Sequence, residues 1–252
     1  MSTPHLQLKS APIVEAVLDI DCDLPPSIDL ATLEPSAQTS FGDGYPKPRK
    51  RFLQEMQVET KAGEATKVSS RHGLQALQFL AEDEKQLVQL RPQGYSFNRL
   101  APYSSLDEYL PEIERTWALF MELVTPLQVR LIRLRFINRL LLPTVDKSIN
   151  LDDYLKLGPR LPDAANLTLS GFFNQHSAKE VATGNAVNIT TATQPMDGDK
   201  LPVILDIDAY YTGSMEPTDW TQISGRIQSL RNLKNLVFKN SLTDRCLNLF
   251  QQ

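Results

Sequence analysis

Within the strand expected over residues 129–142, positions 131–142 alternate strictly between two sets of side chains: Leu131, Arg133, Arg135, Ile137, Arg139 and Leu141 in one, and Ile132, Leu134, Phe136, Asn138, Leu140 and Leu142 in the other. An extended chain sends successive side chains to opposite sides, so this segment has one face with three guanidinium groups and one that is apolar except at Asn138. Such a strand cannot be buried on both faces. It calls for an antiparallel sheet covered on one side only.

The remaining elements fall around it. A first strand is expected over Pro12 to Cys22, with Val14, Ala16, Leu18, Ile20 and Cys22 opposite Glu15, Val17, Asp19 and Asp21. Pro25-Pro26 ends it, and a short helix interrupted by Pro35 fits within Ser27 to Ser40. Three strands follow over Leu53 to Thr60, Gly73 to Leu80, and Gln86 to Arg91 running on toward Phe97. Ser105 and Glu108 stand at capping-box spacing before a helix carrying Ile113, Trp117, Phe120 and Val124. Beyond the Arg-bearing strand the pattern predicts a short helix near Leu151 to Leu155 and strands over Leu167 to Phe173, Ala186 to Thr193 and Pro202 to Tyr211. Asp219 caps a helix with the apolar stripe Ile223, Ile227, Leu230, Leu233 and Val237, and a last short helix begins near Ser241.

The order strand, weak helix, three strands, long helix thus occurs over residues 11–126 and again over 127–252. The expected class is α+β, with residues 1–10 as a tail and two pseudo-equivalent halves joined into one curved, saddle-like sheet with helices on one face. In outline this resembles the saddle-shaped folds of which the TATA-binding protein is the familiar member. Function does not follow from such a likeness.

The charge pattern offers two chemistries. Glu15, Asp19, Asp21 and Asp23 share one face of the first strand, Asp206 and Asp208 share one face of a late strand, and the tetrapeptide Leu-Asp-Ile-Asp occurs in both. If these strands flank the Arg strand, cross-strand ion pairs follow, each worth about 0.2–1 kcal/mol where exposed. The face is then a solvated lattice that keeps the sheet in register. Alternatively it walls a polar site in which Arg133, Arg135 and Arg139 grip the oxygens of a phosphorylated or nucleotide ligand, while Asp19, Asp21, Asp206 and Asp208 hold a divalent cation such as Mg²⁺.

Composition narrows the classes. A chain of 252 residues with 41% hydrophobic content can bury a sizeable core, and no stretch approaches the roughly 20 apolar residues of a membrane span. A net charge of −4 argues against nucleic-acid binding through bulk charge. The basic run Lys47, Arg49, Lys50, Arg51 sits in a Gly/Pro-rich stretch and reads as a solvated loop. Cys22 and Cys246 form neither a disulfide framework nor a zinc site, and with no secretion signal at the start a bacterial cytoplasmic location is expected. His5, His72 and His176 have no second ligand nearby. Phosphate-loop, dinucleotide, nucleophile-elbow and Cys-x-x-Cys motifs are absent.

Five stretches carry a resemblance: Pro12-Ile13-Val14-Glu15-Ala16-Val17, Gly94-Tyr95-Ser96-Phe97-Asn98-Arg99-Leu100, Arg135-Phe136-Ile137-Asn138-Arg139-Leu140, Leu205-Asp206-Ile207-Asp208-Ala209-Tyr210, and Leu233-Lys234-Asn235 leading to Ser241-Leu242-Thr243-Asp244. Together they resemble a family of uncharacterised proteins found sporadically in bacteria and archaea. That likeness implies origin and single-unit length, and no activity. The expected function is that of a non-enzymatic binding or regulatory protein with a protein partner, in an accessory, defence or antitoxin-like role. The anion- or metal-binding site stands as its alternative.

Overall fold

The computed structural model describes residues 8–59, 67–162, 167 and 169–251, with strand residues 54–59 and 67–72 described by their backbone. Its elements in chain order are β1 (Ile13–Asp23), α1 (Leu30–Phe41), β2 (Lys47–Glu59), β3 (Lys67–Leu80), β4 (Gln86–Arg91), β5 (Gly94–Leu100), α2 (Leu106–Val124), β6 (Gln128–Pro143), β7 (Phe173–Lys179), β8 (Ala186–Thr193), β9 (Lys200–Met215), α3 (Trp220–Ser241) and α4 (Asp244–Asn248). The class is α+β. One nine-stranded sheet in the order β2-β3-β4-β5-β1-β6-β9-β8-β7 carries every strand of the described residues, and its registered pairs are antiparallel.

Side-chain alternation puts the core on one face of this sheet. Leu18 and Ile20 of β1 stand beside Phe97 and Tyr95 of β5 and beside Leu134 and Ile132 of β6, and all are buried. Tyr95 packs edge-on to Trp117 of α2, and Phe79 of β3 stacks on Phe41 of α1. On the same face, in the second half, α3 lays Ile223, Ile227, Leu230 and Leu233 over β6 and β9. The caps follow the sequence reasoning: Ser105 Oγ accepts from the Glu108 amide at 3.3 Å, and Asp219 Oδ1 from the Gln222 amide at 2.9 Å.

Several expectations are corrected. The segment read as one strand from Gln86 toward Phe97 is two, β4 and β5, turned at Pro92-Gln93. Gly94 makes that turn possible: its φ is +140°, and a Cβ there would meet the Ile20 carbonyl oxygen at 2.3 Å. The first half therefore holds five strands and the second four. Pro35 does not interrupt α1, which runs for 12 residues through it because Leu30, Ala37 and Phe41 are anchored in the core. The basic run is no loop. It opens β2, where Lys47 and Arg49 reach Glu84 and Lys50 reaches Glu34, and Tyr45 just before it is fully buried with its hydroxyl on Glu112 at 2.8 Å.

The strand expected over Leu167 to Phe173 begins only at Phe173, and Thr168 lies outside the described residues. β7 is an outer strand with almost every side chain exposed, so burial imposes no alternation on it. The short helix near Leu151 is a single 3-10 turn, Leu151–Asp153, and the last helix is capped by Thr243 rather than from Ser241.

Candidate functional site

Two regions of the sheet concentrate polar chemistry, one on each face. On the open face β6 pairs with β1 on one side and β9 on the other, so the Arg strand runs between the two acidic strands. The register sets Arg135 opposite Asp208 and Val17, and Arg133 opposite Tyr210 and Asp19. Side chains then reach diagonally. Arg135 holds Asp206 with Nε at 2.9 Å and Nη2 at 2.5 Å, and Arg133 Nε lies 3.2 Å from Asp208 Oδ1 without hydrogen-bond alignment. Arg139 turns outward to Asp197 at 2.9 Å and Gln194 at 3.2 Å.

The carboxylates of β1 find different partners. Arg91, at the end of β4, donates to Asp21 at 2.6 Å and lies 3.4 Å from Asp19, while Ser96 Oγ donates to Asp19 at 2.5 Å. Toward the edge of the first half the lattice continues as amides: Gln78 donates to Gln89, Gln89 to Asn98, and Asn98 to Glu15, each at 2.8 Å. The seven residues singled out from sequence thus share one face, yet β6 keeps Asp19 and Asp21 apart from Asp206 and Asp208. Among the described residues no group of three or more His, Cys, Asp or Glu is placed to hold a metal ion.

Neutralisation is uneven within this lattice. Burial lifts the Asp208 carboxyl above its ordinary value, and Arg133, Asn188 and Arg135 offset only part of that cost. The Arg135 guanidinium is pushed up by its hydrogen bonds to Asp206.

The second region lies on the helix-covered face. A cleft of about 760 Å³ opens where the start of α2, the middle of α3 and the segment before β1 meet above β6. Phe136 and Asn138 are its floor, and Arg231, Lys234, Asn235 and Phe238 form its α3 wall. Three of the five stretches quoted above meet here, through Pro12 and Ile13, Phe136 and Asn138, and Lys234 and Asn235. Asn138 is buried and its amide nitrogen donates to the carbonyls of Leu205 at 2.9 Å and Phe136 at 3.2 Å.

Two cations of α3 behave differently in this cleft. Arg231, only 9% exposed, grips Asp107 of α2 through both carboxylate oxygens, at 2.6 and 2.8 Å. Lys234, one turn on, sets its Nζ 4.0 Å above the centre of the Phe136 ring and has no carboxylate within 4 Å among the described residues. Burial, with Arg231 adding to it, draws the Lys234 ammonium down from the usual lysine range to about 7. The negative face of the ring favours the charged form.

No protein-family model, curated protein or solved structure matches this chain. No helix among the described residues is long and apolar enough to cross a membrane.

Proposed function

We propose that the chain is a non-enzymatic binding protein that engages a protein partner along the outer side of its first half, as an accessory, defence or antitoxin-like component of a bacterial cytoplasm. The observation that carries this reading is the length mismatch between neighbouring strands. β3 pairs with β4 only over Leu77–Leu80, whereas β2 and β3 pair down to Glu59 and Lys67. The distal part of that hairpin is a two-stranded ribbon beyond the sheet, and an isolated two-stranded ribbon is marginal in water. At its base Phe52 is 60% exposed and Leu53 43%. β2 also ends the sheet, so its outer backbone groups are available to a strand from another chain.

Two further points of architecture belong to the same proposal. β1 and β6 are antiparallel neighbours at the centre, each pairs outward with the last strand of its own half, β5 or β9, and in each half a long helix, α2 or α3, follows that last strand. That symmetry supports an internal duplication and a saddle-shaped sheet. The alternative of a phosphorylated ligand and Mg²⁺ on the Arg strand draws less support, because Arg133, Arg135 and Arg139 are each engaged by a carboxylate of the chain.

The test replaces residues 54–72 by a two-residue turn. The shortened protein is expected to keep its unfolding midpoint and to lose a stoichiometric protein that the full chain retains in affinity capture from its native cells. Retention of that protein by the shortened chain, or no retained protein with either, overturns the proposal.

A further inference from the structure

The cleft above β6 has the composition of a small-molecule site rather than of a packing defect. Its volume of about 760 Å³ lies inside the range of about 300–1,000 Å³ typical of ligand pockets. Its apolar surface comes from Leu8, Ile13, Leu106, Phe136, Phe238 and the ring of Tyr103. Set into that surface are the charges of Arg231 and Lys234, with Lys9, Asp107 and Glu108 nearer the rim. Asp107 is committed to Arg231 by a two-fold hydrogen bond.

Lys234 is placed where an apolar residue would serve packing better. It follows Ile227 by seven residues and Leu230 by four, and precedes Phe238 by four, so it is a half-buried residue in line with the buried positions of α3. An ammonium at such a position costs free energy unless an anion meets it. No carboxylate of the described residues lies within 4 Å of it, and the sequence of residues 1–7 contains no Asp or Glu. The ring of Phe136 fixes the ammonium at 4.0 Å without neutralising it.

We propose that this cleft binds a small organic acid, in which one carboxylate or phosphate pairs with Lys234 while an apolar body lies over Phe136 against Ile13, Leu106 and Phe238. Arg231, held by Asp107, shapes the wall and adds positive potential, and its guanidinium stays with its own carboxylate. The occupant therefore carries one anionic head group and an uncharged body. A polyphosphate or nucleotide does not match a cleft whose inner wall carries one cation not held by a carboxylate, the other, Lys9, lying exposed at the rim. This reading concerns a different part of the molecule from the partner-binding ribbon, which lies at the β2 end of the sheet, and is independent of it.

The experiment follows the ¹³Cε resonances of the lysines in the whole protein, with that of Lys234 assigned by its disappearance in Lys234→Met. The probes are hexanoate, benzoate and phenyl phosphate, with hexanamide and benzamide as uncharged counterparts. At least one acid is expected to shift the Lys234 resonance saturably, to raise its titration midpoint, and to bind about ten-fold or more tightly than the matching amide. Carboxylates and phenyl phosphate form separate arms, so the preferred head group is read directly. Lys234→Met is expected to lose the acid preference while staying folded, and Lys234→Arg to keep it. Equal binding of acid and amide overturns the proposal, as does a Lys234 that titrates in the ordinary lysine range in the free protein and responds to no acid.

Discussion

The open sheet face and the cleft use the same strand in opposite ways. On its outward side β6 carries Arg133, Arg135 and Arg139, each engaged by a carboxylate from β9 or the turn before it. On its inward side the strand offers Phe136 to Lys234, a cation for which the described residues provide a ring and no carboxylate. The region with more charge is electrostatically self-contained, whereas the cleft, with fewer charges, is not. Charge density is thus a poor guide to a site, and charge without a partner is a better one.

Breaking the inward side should cost most. Phe136 is buried and roofed by Tyr103 and Lys234, so Phe136→Ala is expected to lose about 3–5 kcal/mol. Its outward neighbour Ile137 is only partly buried, and Ile137→Ala should lose markedly less. Denaturant midpoints at constant slope decide between them. Equal losses would mean that both faces of β6 are packed alike. Next comes Asp107→Ala, which leaves the guanidinium of Arg231 buried without its fork partner and should cost about 1–3 kcal/mol in the same assay.

Lys234 supplies a prediction with a sign. Below about pH 7 it is charged in both folded and unfolded chains, and the folded state bears the cost of burying it. Between that value and the ordinary lysine value near 10.4 the folded chain has released a proton that the unfolded chain keeps, so the unfolded state binds more protons and stability rises with pH. Lys234→Met keeps the stem's packing and removes the charge. The variant should therefore be more stable than the parent at pH 6, with the gap closing toward pH 10. A gap that does not change with pH would show that Lys234 is fully solvated.

How much of this was legible depends on how local each feature is. The two faces of β6, the caps at Ser105 and Asp219, and the acidic faces of β1 and β9 follow from spacing alone. Arg91 was hidden because nothing apolar breaks at Pro92-Gln93, and only the turn at Gly94 brings it beside Asp19 and Asp21. Tyr45 lies in a Gly/Pro-rich stretch, and its burial rests on Gln86 and Glu112, 41 and 67 positions away. The cleft needs α3 to cross β6, a contact between residues about a hundred positions apart that no spacing encodes. One signal was nevertheless present. A lysine four residues after one apolar position of an amphipathic helix and four before another is a cation drawn toward the core, and Lys234 stands between Leu230 and Phe238 in this way.

The smallest effects separate the pairs within the lattice itself. Arg135 meets Asp206 through two aligned nitrogens, whereas Arg133 approaches Asp208 at 3.2 Å without alignment, and burial holds the Asp208 carboxyl above its usual range. A carboxyl raised in this way binds its proton more readily in the folded chain, so its contribution to stability is present at low pH and lost as pH rises through the folded value. At pH 7 Asp208 is therefore a poor stabiliser, and Asp208→Asn should change stability by less than about 0.5 kcal/mol. For the first pair, a double-mutant cycle with Arg135→Ala and Asp206→Ala should return a coupling of about 0.2–1 kcal/mol, because the Arg135 side chain is 45% exposed. The cycle on Arg133 and Asp208 should return less. If it returned more, the unaligned pair would be the one that fixes the register of β6 against β9, and the lattice would be organised around its most buried carboxylate instead of its best-formed hydrogen bonds.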